Sequence, residues 1–491
     1  MASIKEFYAG RSIFITGATG FIGKVLIEKL LRSCPKIDKI YILIRSKRGE
    51  IPEERINAIT EIPLFEKLKK EYPDAIKNKL KLINGDVTEL QLGISTSDAN
   101  LLIENVSVIF HGAASVRFDD PLKYAILLNT RGTRELLNLA LKMKKLDVLL
   151  HISTTYCNAN HPVVEEQLYP PHADWKRSIE VVENIDEHYL EVLTAKYIDV
   201  LPNTYTFSKS LAEHCVYDLC TGKIPAVIVR PSIVLSTHSD PIPGWIDNYN
   251  GPVGLFVASG KGILRSCCSN PDLKVDYMAV DSCVRALIMA SWAKCTSKDP
   301  EEKLDVSFYN SSNNGLYHIT MKEFIEIGKE AVWEAPFSNI LWFPGGGVTA
   351  YKFWHYLNKK PLLVKIQRRI YIAHIALDHF MSNYWTFPND KCLALEKKLL
   401  PEEVAEFGYD RHNIKVPGYF FNCFKYGRRY LLKEDDSTLE RAKINLYRMY
   451  VLDRVVRVAI AGLALWYFTF KIDLLGYLES KLVAFYKAIL I

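Results

Sequence analysis

The chain has 491 residues, 49% of them hydrophobic and 24% charged, with a formal net charge of +6. This composition excludes a disordered or fibrous chain and leaves room for two or three domains. So mild a charge gives no case for nucleic acid, and 10 scattered cysteines without C-x-x-C spacing give none for a zinc site. The N-terminus has no apolar signal core, so the main body is expected in the reducing cytosol.

Ser12–Thr16 is an apolar β-type run. Gly17, Gly20 and Gly23 follow at a spacing of three, and an amphipathic helix is predicted from Phe21 to about Arg32. Strand, glycine turn and helix N-terminus together form a dinucleotide-binding device. Gly17 allows the sharp turn, Gly20 lets a pyrophosphate approach the backbone, and Gly23 brings the helix close to the strand. Thr16, Thr19, Phe21 and Ile22 complete the expected contact set. Lys39–Ile44 reads as a second, fully buried strand, which makes a βαβ unit and a parallel sheet. That strand ends in Arg45-Ser-Lys-Arg48, with no acid before Glu50. NAD sites usually hold the ribose with an acid at this point, whereas cations suit the 2′-phosphate of NADP. Arg45, with Arg48, is therefore the candidate for selecting NADPH; a solvated basic loop is the alternative.

Pro52 to Lys77 is charged helical sequence, read as an insertion at the sheet edge. Further strands are predicted at Leu80–Ile83, Val106–Phe110, Val148–Ile152 and Ala226–Val229. Small or turn-forming residues close them, and Asp86, Val87, Gly112, Ala113, Ala114, Pro231, Ser232 and Ile233 join the expected cofactor set, with Asn129 from a helix. His111 is expected to be packed or hydrogen-bonded, because no companion metal ligands follow it.

Tyr205 and Lys209 lie four apart at the start of a predicted helix, which puts them on one face. Hydride addition to a carbonyl creates an oxyanion. A phenol can protonate it, a neighbouring ammonium can lower the phenol's pKa and also hold the nicotinamide ribose, and a hydroxyl can orient the carbonyl oxygen, so Tyr205 and Lys209 also join the expected cofactor set. Ser153-Thr154-Thr155 ends the preceding strand. Thr154 is the first choice for the hydroxyl, with Ser153 and Thr155 as alternatives. No cysteine lies in a motif that suggests an acyl-enzyme.

Thr16-Gly-Ala-Thr-Gly-Phe-Ile-Gly23 with Tyr205-x-x-x-Lys209 resembles the extended short-chain dehydrogenase/reductases. His151-Ile-Ser-Thr-Thr-Tyr-Cys157, Arg230-Pro-Ser-Ile-Val234, Pro243–Pro252, Gly260-Lys-Gly262, Asn270-Pro-Asp-Leu273 and Asn383-Tyr-Trp-Thr-Phe387 narrow the resemblance to the alcohol-forming fatty acyl-CoA reductases of insect type. The resemblance implies a Rossmann-type doubly wound parallel sheet over residues 1–325 and a helical domain over 350–440. It also implies reduction of a long-chain acyl-CoA by two NADPH, through an aldehyde, to a fatty alcohol and CoA. A sterol dehydrogenase or nucleotide-sugar epimerase on the same fold, or a non-catalytic scaffold, are the competing readings. Between Tyr351 and Leu362 the chain lacks an apolar stretch that similar sequences carry.

Residues 352–430 read as helices rich in aromatics, forming a wall or lid for an acyl chain or a plain packing domain. Trp342, Trp354 and Trp385 are expected in the core. Val458–Phe470 is an uncharged run of 13 residues, short of the roughly 20 that span a bilayer. With the apolar-rich segment from Leu474, residues 452–491 are expected to attach to membrane as a short span, a re-entrant hairpin or an interfacial helix. Arg441, Lys443, Arg448 and Arg454 suit a cytosolic face. The family resemblance suggests the endoplasmic reticulum, with the peroxisomal membrane as the alternative. Oligomeric state is not encoded in any motif.

Overall fold

A computed structural model of the chain describes residues 3–45, 52–264, 266–344, 347–349, 372, 377–409, 415–471 and 474–489. Arg48 and most of the segment 351–376, including Trp354, lie outside the described residues.

Seven parallel strands form the central sheet. β1 (Ser12–Thr16) and β2 (Ile40–Ile44) are buried at every position, as strands covered by helices on both faces must be. β3 (Leu80–Asn84), β4 (Val106–His111), β5 (Val148–Ile152) and β6 (Ala226–Pro231) follow. The spatial order is Val306–Ser311, β6, β5, β4, β1, β2, β3. The chain order reverses between β1 and β4, and the crevice beyond the carboxyl ends of these two strands is where open α/β sheets bind ligands. Every strand read from the sequence is present. The seventh, Val306–Ser311, alternates too little to be recognised, yet pairs with β6 along its whole length.

Helix Val280–Thr296 is buried almost all round and packs against the sheet. The C-terminal segment is sewn into the same body. Glu166 accepts backbone N–H groups from Asn310, Lys391 and Cys392 at 2.6–3.0 Å. Cys392, Leu395 and Phe407 join the core cluster that contains β1 and β2.

The chain ends in helix Leu439–Trp466 and helix Leu474–Ile489. The first is anchored at its middle. The buried Asp453 carboxylate accepts the Trp342 indole N–H at 2.6 Å and pairs with Arg457 at 2.7 Å. Beyond this point Val458, Ile460, Leu463 and Leu465 are more than 60% exposed. Among the described residues no helix is long and apolar enough to cross a membrane.

Candidate active site

The glycine turn has the geometry its spacing demands. Gly17 adopts φ +77°, and a Cβ there would lie 2.6 Å from the Gly112 backbone. A Cβ on Gly23 would lie 2.3 Å from the Gly17 carbonyl oxygen, so only glycine lets helix Phe21–Ser33 pack this close to β1. Gly20 is the N-cap and no side chain caps the helix. Its first N–H groups, with Thr19 and Gly20 exposed beside them, are left to an anion. Such a cradle fits a dinucleotide pyrophosphate.

A chain of hydrogen bonds fixes the strand tips below. The Thr133 hydroxyl donates to the Asn129 carbonyl at 2.6 Å and so accepts the Nε2–H of His111 at 2.9 Å. His111 Nδ1 then accepts the Thr16 hydroxyl at 2.7 Å, and Thr16 Oγ1 accepts the Ala113 N–H at 3.2 Å. This order assigns a neutral imidazole, in keeping with burial and the Lys209 charge, which press its pKa down to about 3. His111 is a structural tie between β1 and β4. Asn129 holds the next loop, accepting the Ser115 N–H at 2.9 Å and donating to the Ser208 hydroxyl at 2.9 Å. Asp86 Oδ1 caps Thr88, and Val87 abuts Gly132, whose Cβ would meet the Val87 carbonyl oxygen at 2.7 Å. Arg45 is largely exposed and stands 3.9 Å from Asp86.

Helix Thr204–Cys220 carries Tyr205 and Lys209 on the face toward the end of β5. Asn203 caps it by accepting the Thr206 N–H at 2.9 Å. The Tyr205 hydroxyl hydrogen-bonds the Thr154 side chain, and burial raises its pKa despite that bond. Lys209 is buried on the same face of the helix. Its ammonium donates to the Ile152 carbonyl at 2.6 Å and to His151 Nε2 at 3.2 Å. Burial lowers its pKa to about 8.

Ser153 and Thr154 point to different places. The Ser153 hydroxyl lies beside Cys157 and Glu213. Glu213, one turn beyond Lys209, forms a buried bidentate pair with Arg230, with bonds of 2.8 and 2.7 Å. Arg230 also donates to the Glu165 and Gln167 carbonyls at 3.0 and 2.9 Å. This pair fastens helix Thr204–Cys220 to β6; Arg230 opens the Arg230–Val234 stretch, but its partner Glu213 is not readable from that stretch. Of the expected cofactor residues after β6, Ser232 lies beside Asp276 and Ile233 lines a cavity.

That cavity is mainly apolar, about 1450 Å³ including the open solvent at its mouth. Its walls come from Leu255, Phe256, Met321 and Phe337 and, far along the chain, from Phe380, Met381, Trp385 and Phe424. Trp385 is therefore a cavity wall, while Trp342 serves as the Asp453 anchor. Phe118 connects the cavity to the catalytic helix, with its ring 5.9 Å from Tyr205 and 5.1 Å from Phe380. Tyr156, two residues after Thr154, lines the cavity as well.

The fold and the Thr154–Tyr205–Lys209 arrangement define a nicotinamide-dependent oxidoreductase of the extended short-chain type. The NAD-binding family model described as Male sterility protein matches residues 15–287, and a second model of that description matches 351–434. The chain is 37% identical over 474 residues to fatty acyl-CoA reductase 1 of Xenopus laevis, covering 91% of this chain and 90% of that one. It is 33% identical over 485 residues to a fatty acyl-CoA reductase of Drosophila melanogaster, covering 94% and 92%. It belongs to the fatty acyl-CoA reductase family. Among solved structures, the terminal R domain of the myxalamid biosynthetic pathway shares the fold with a TM-score of 0.61 at 20% identity, covering 86% of this chain and 91% of that one. The UDP-glucuronic acid 4-epimerase of Bacillus cereus, in complex with NAD, shares it with a TM-score of 0.52 at 15% identity, covering 85% and 99%.

Proposed function

We propose that the protein reduces a long-chain fatty acyl-CoA to a fatty alcohol and CoA, with NADPH as reductant and an aldehyde between the two steps. The observation that carries this reading is the apolar cavity joined to Tyr205 through Phe118 and to Thr154 through Tyr156. A nucleotide sugar or sterol site would need polar groups or a broad flat slot where this cavity offers aromatic and aliphatic walls.

The cradle at Gly17–Gly23 holds the pyrophosphate and Arg45 takes the 2′-phosphate. Two NADPH molecules, bound in turn, would each supply one hydride, the first to the thioester carbonyl with loss of CoA thiolate and the second to the aldehyde. Thr154 and Tyr205 hold the carbonyl oxygen and stabilise the charge that develops there, as preorganised donors do. Tyr205 gives its proton to the alkoxide of the second reduction. Its raised pKa keeps it protonated and able to donate at neutral pH. Lys209 keeps the end of β5 in place through the Ile152 carbonyl, and through it Thr154. Glu213 and Arg230 hold the helix that carries both residues.

We further propose that the exposed apolar side chains of residues 455–468 and 477–486 lie on or in a bilayer surface. Exposed apolar area of this extent marks a membrane or protein contact, and the substrate and product are both membrane-partitioning lipids. The test of function is NADPH oxidation by purified full-length enzyme. Turnover that requires hexadecanoyl-CoA supports the reading. Turnover with a sterol or a nucleotide sugar, and none with acyl-CoA, overturns it.

A further inference from the structure

Among the described residues, one acidic side chain lines the apolar cavity. Asp276 immediately precedes strand Tyr277–Ala279, among the residues that line the cavity. One carboxylate oxygen accepts the Asn313 N–H at 2.9 Å, and the Ser232 hydroxyl lies beside it. Among the described residues no lysine or arginine pairs with it. The phenols of Tyr156 and Tyr317 feel its charge, and Tyr277 adjoins it in sequence. Two ammonium groups also reach the cavity. Lys274 is exposed, and Lys329 is paired with Glu326 at 2.7 Å. A half-buried carboxylate that no described cation pairs is costly among apolar walls, and desolvation pushes this one up to about 6.

Its charge reaches Tyr156, another residue of the cavity wall. Ser232 follows β6, the neighbour of β5, and Tyr156 follows Thr154 by two residues. The reacting carbonyl must lie near Thr154 and Tyr205 if the proposed function holds, and this inference rests on that reading. Hydrolysis of an acyl thioester yields a carboxylate with the same chain. Such a molecule would fill the cavity equally well and would place its negative charge near Asp276.

We propose that Asp276 is a specificity-determining residue that bars free fatty carboxylates from the acyl cavity while admitting the uncharged acyl thioester head. Like charges in a site of low dielectric repel strongly. A neutral thioester carbonyl meets no such repulsion.

The test compares two inhibitors of full-length enzyme in detergent, competing with hexadecanoyl-CoA below their micellar concentrations. Hexadecanesulfonate keeps its charge at every working pH, and hexadecanamide is its neutral counterpart. At pH 7.5 the sulfonate binds wild-type enzyme more weakly than the amide by roughly tenfold or more. In Asp276→Asn that gap closes to within about threefold, and in Asp276→Glu it persists. Within wild-type enzyme, which needs no variant to fold, the gap narrows as pH falls through about 6. A gap that is absent from wild type, unchanged in Asp276→Asn, or insensitive to pH overturns the proposal. If neither compound competes with acyl-CoA, the cavity does not hold the acyl chain, and the functional reading falls with the filter.

Discussion

Replacing Lys209 by methionine separates what this residue costs the fold from what it gives the site. The ammonium is 2% exposed. Its pKa falls from the ordinary value of 10.5 to about 8, chiefly through burial. At about 1.4 kcal/mol per tenfold, that depression means the charged form destabilises the fold by about 3 kcal/mol at neutral pH. Methionine removes this penalty but leaves the Ile152 carbonyl without its 2.6 Å donor, a loss of about 1–3 kcal/mol. The net effect at pH 7 lies between roughly zero and +2 kcal/mol of added stability. The sign has a pH signature. Below pH 8 the lysine is charged in both the folded and unfolded states and the penalty is complete. Between 8 and 10.5 the unfolded chain binds more protons, so wild-type stability rises relative to Lys209→Met, and above 10.5 the penalty is gone. Urea unfolding of both proteins at pH 7, 8, 9 and 10, followed by circular dichroism, measures this difference directly. A variant that loses more than about 2 kcal/mol at pH 7, or a difference that does not change between pH 8 and 10, refutes the reasoning.

Tyr205→Phe is expected to lower alcohol formation by about 10²–10⁴-fold while cofactor binding, followed by nucleotide fluorescence, persists. Thr154→Val should cost about 10²–10³-fold, and Ser153→Ala much less, because only Thr154 bonds the Tyr205 hydroxyl. Arg45→Ala should weaken NADPH by roughly tenfold or more and leave NADH nearly unchanged; equal losses would refute contact with the 2′-phosphate. Deletion of residues 455–491 should move the protein from the membrane pellet to the soluble fraction while the Asp453–Trp342 bond keeps the remaining helix docked. Continued pelleting would argue against the tail as the attachment.

The sequence is most informative where a local rule has one solution. At Gly17, Gly20 and Gly23 a side chain would meet backbone or stand in the way of an anion, so the spacing, between an apolar strand and a helix, identifies the turn. The Tyr205–Lys209 spacing likewise put both residues on one helical face. What each side chain bonds to was not legible, because it depends on partners distant in sequence. Lys209 is held by the end of β5, more than fifty residues earlier, and Ser153 is drawn away from Thr154 toward Glu213. The Glu213–Arg230 pair joins a helix to a strand, and Glu213 is not readable from the Arg230–Val234 stretch. Strand Val306–Ser311 mixes Ser and Asn with its apolar residues and is recognised only by its pairing with β6. The cavity is assembled from segments as far apart as Tyr156 and Phe424, so no window of sequence contains it. Asp276 is set apart from other loop carboxylates only by the apolar walls around it, which no local pattern announces.

Mass analysis of the alcohol formed from hexadecanoyl-CoA and NADPH deuterated at the transferable position of the nicotinamide tests the central claim most directly. If the protein carries out both reductions at one carbonyl carbon, the product is hexadecanol with two deuterium atoms on C1. A product bearing one deuterium, an aldehyde end product, or no labelled lipid at all would contradict a two-step reduction by this site.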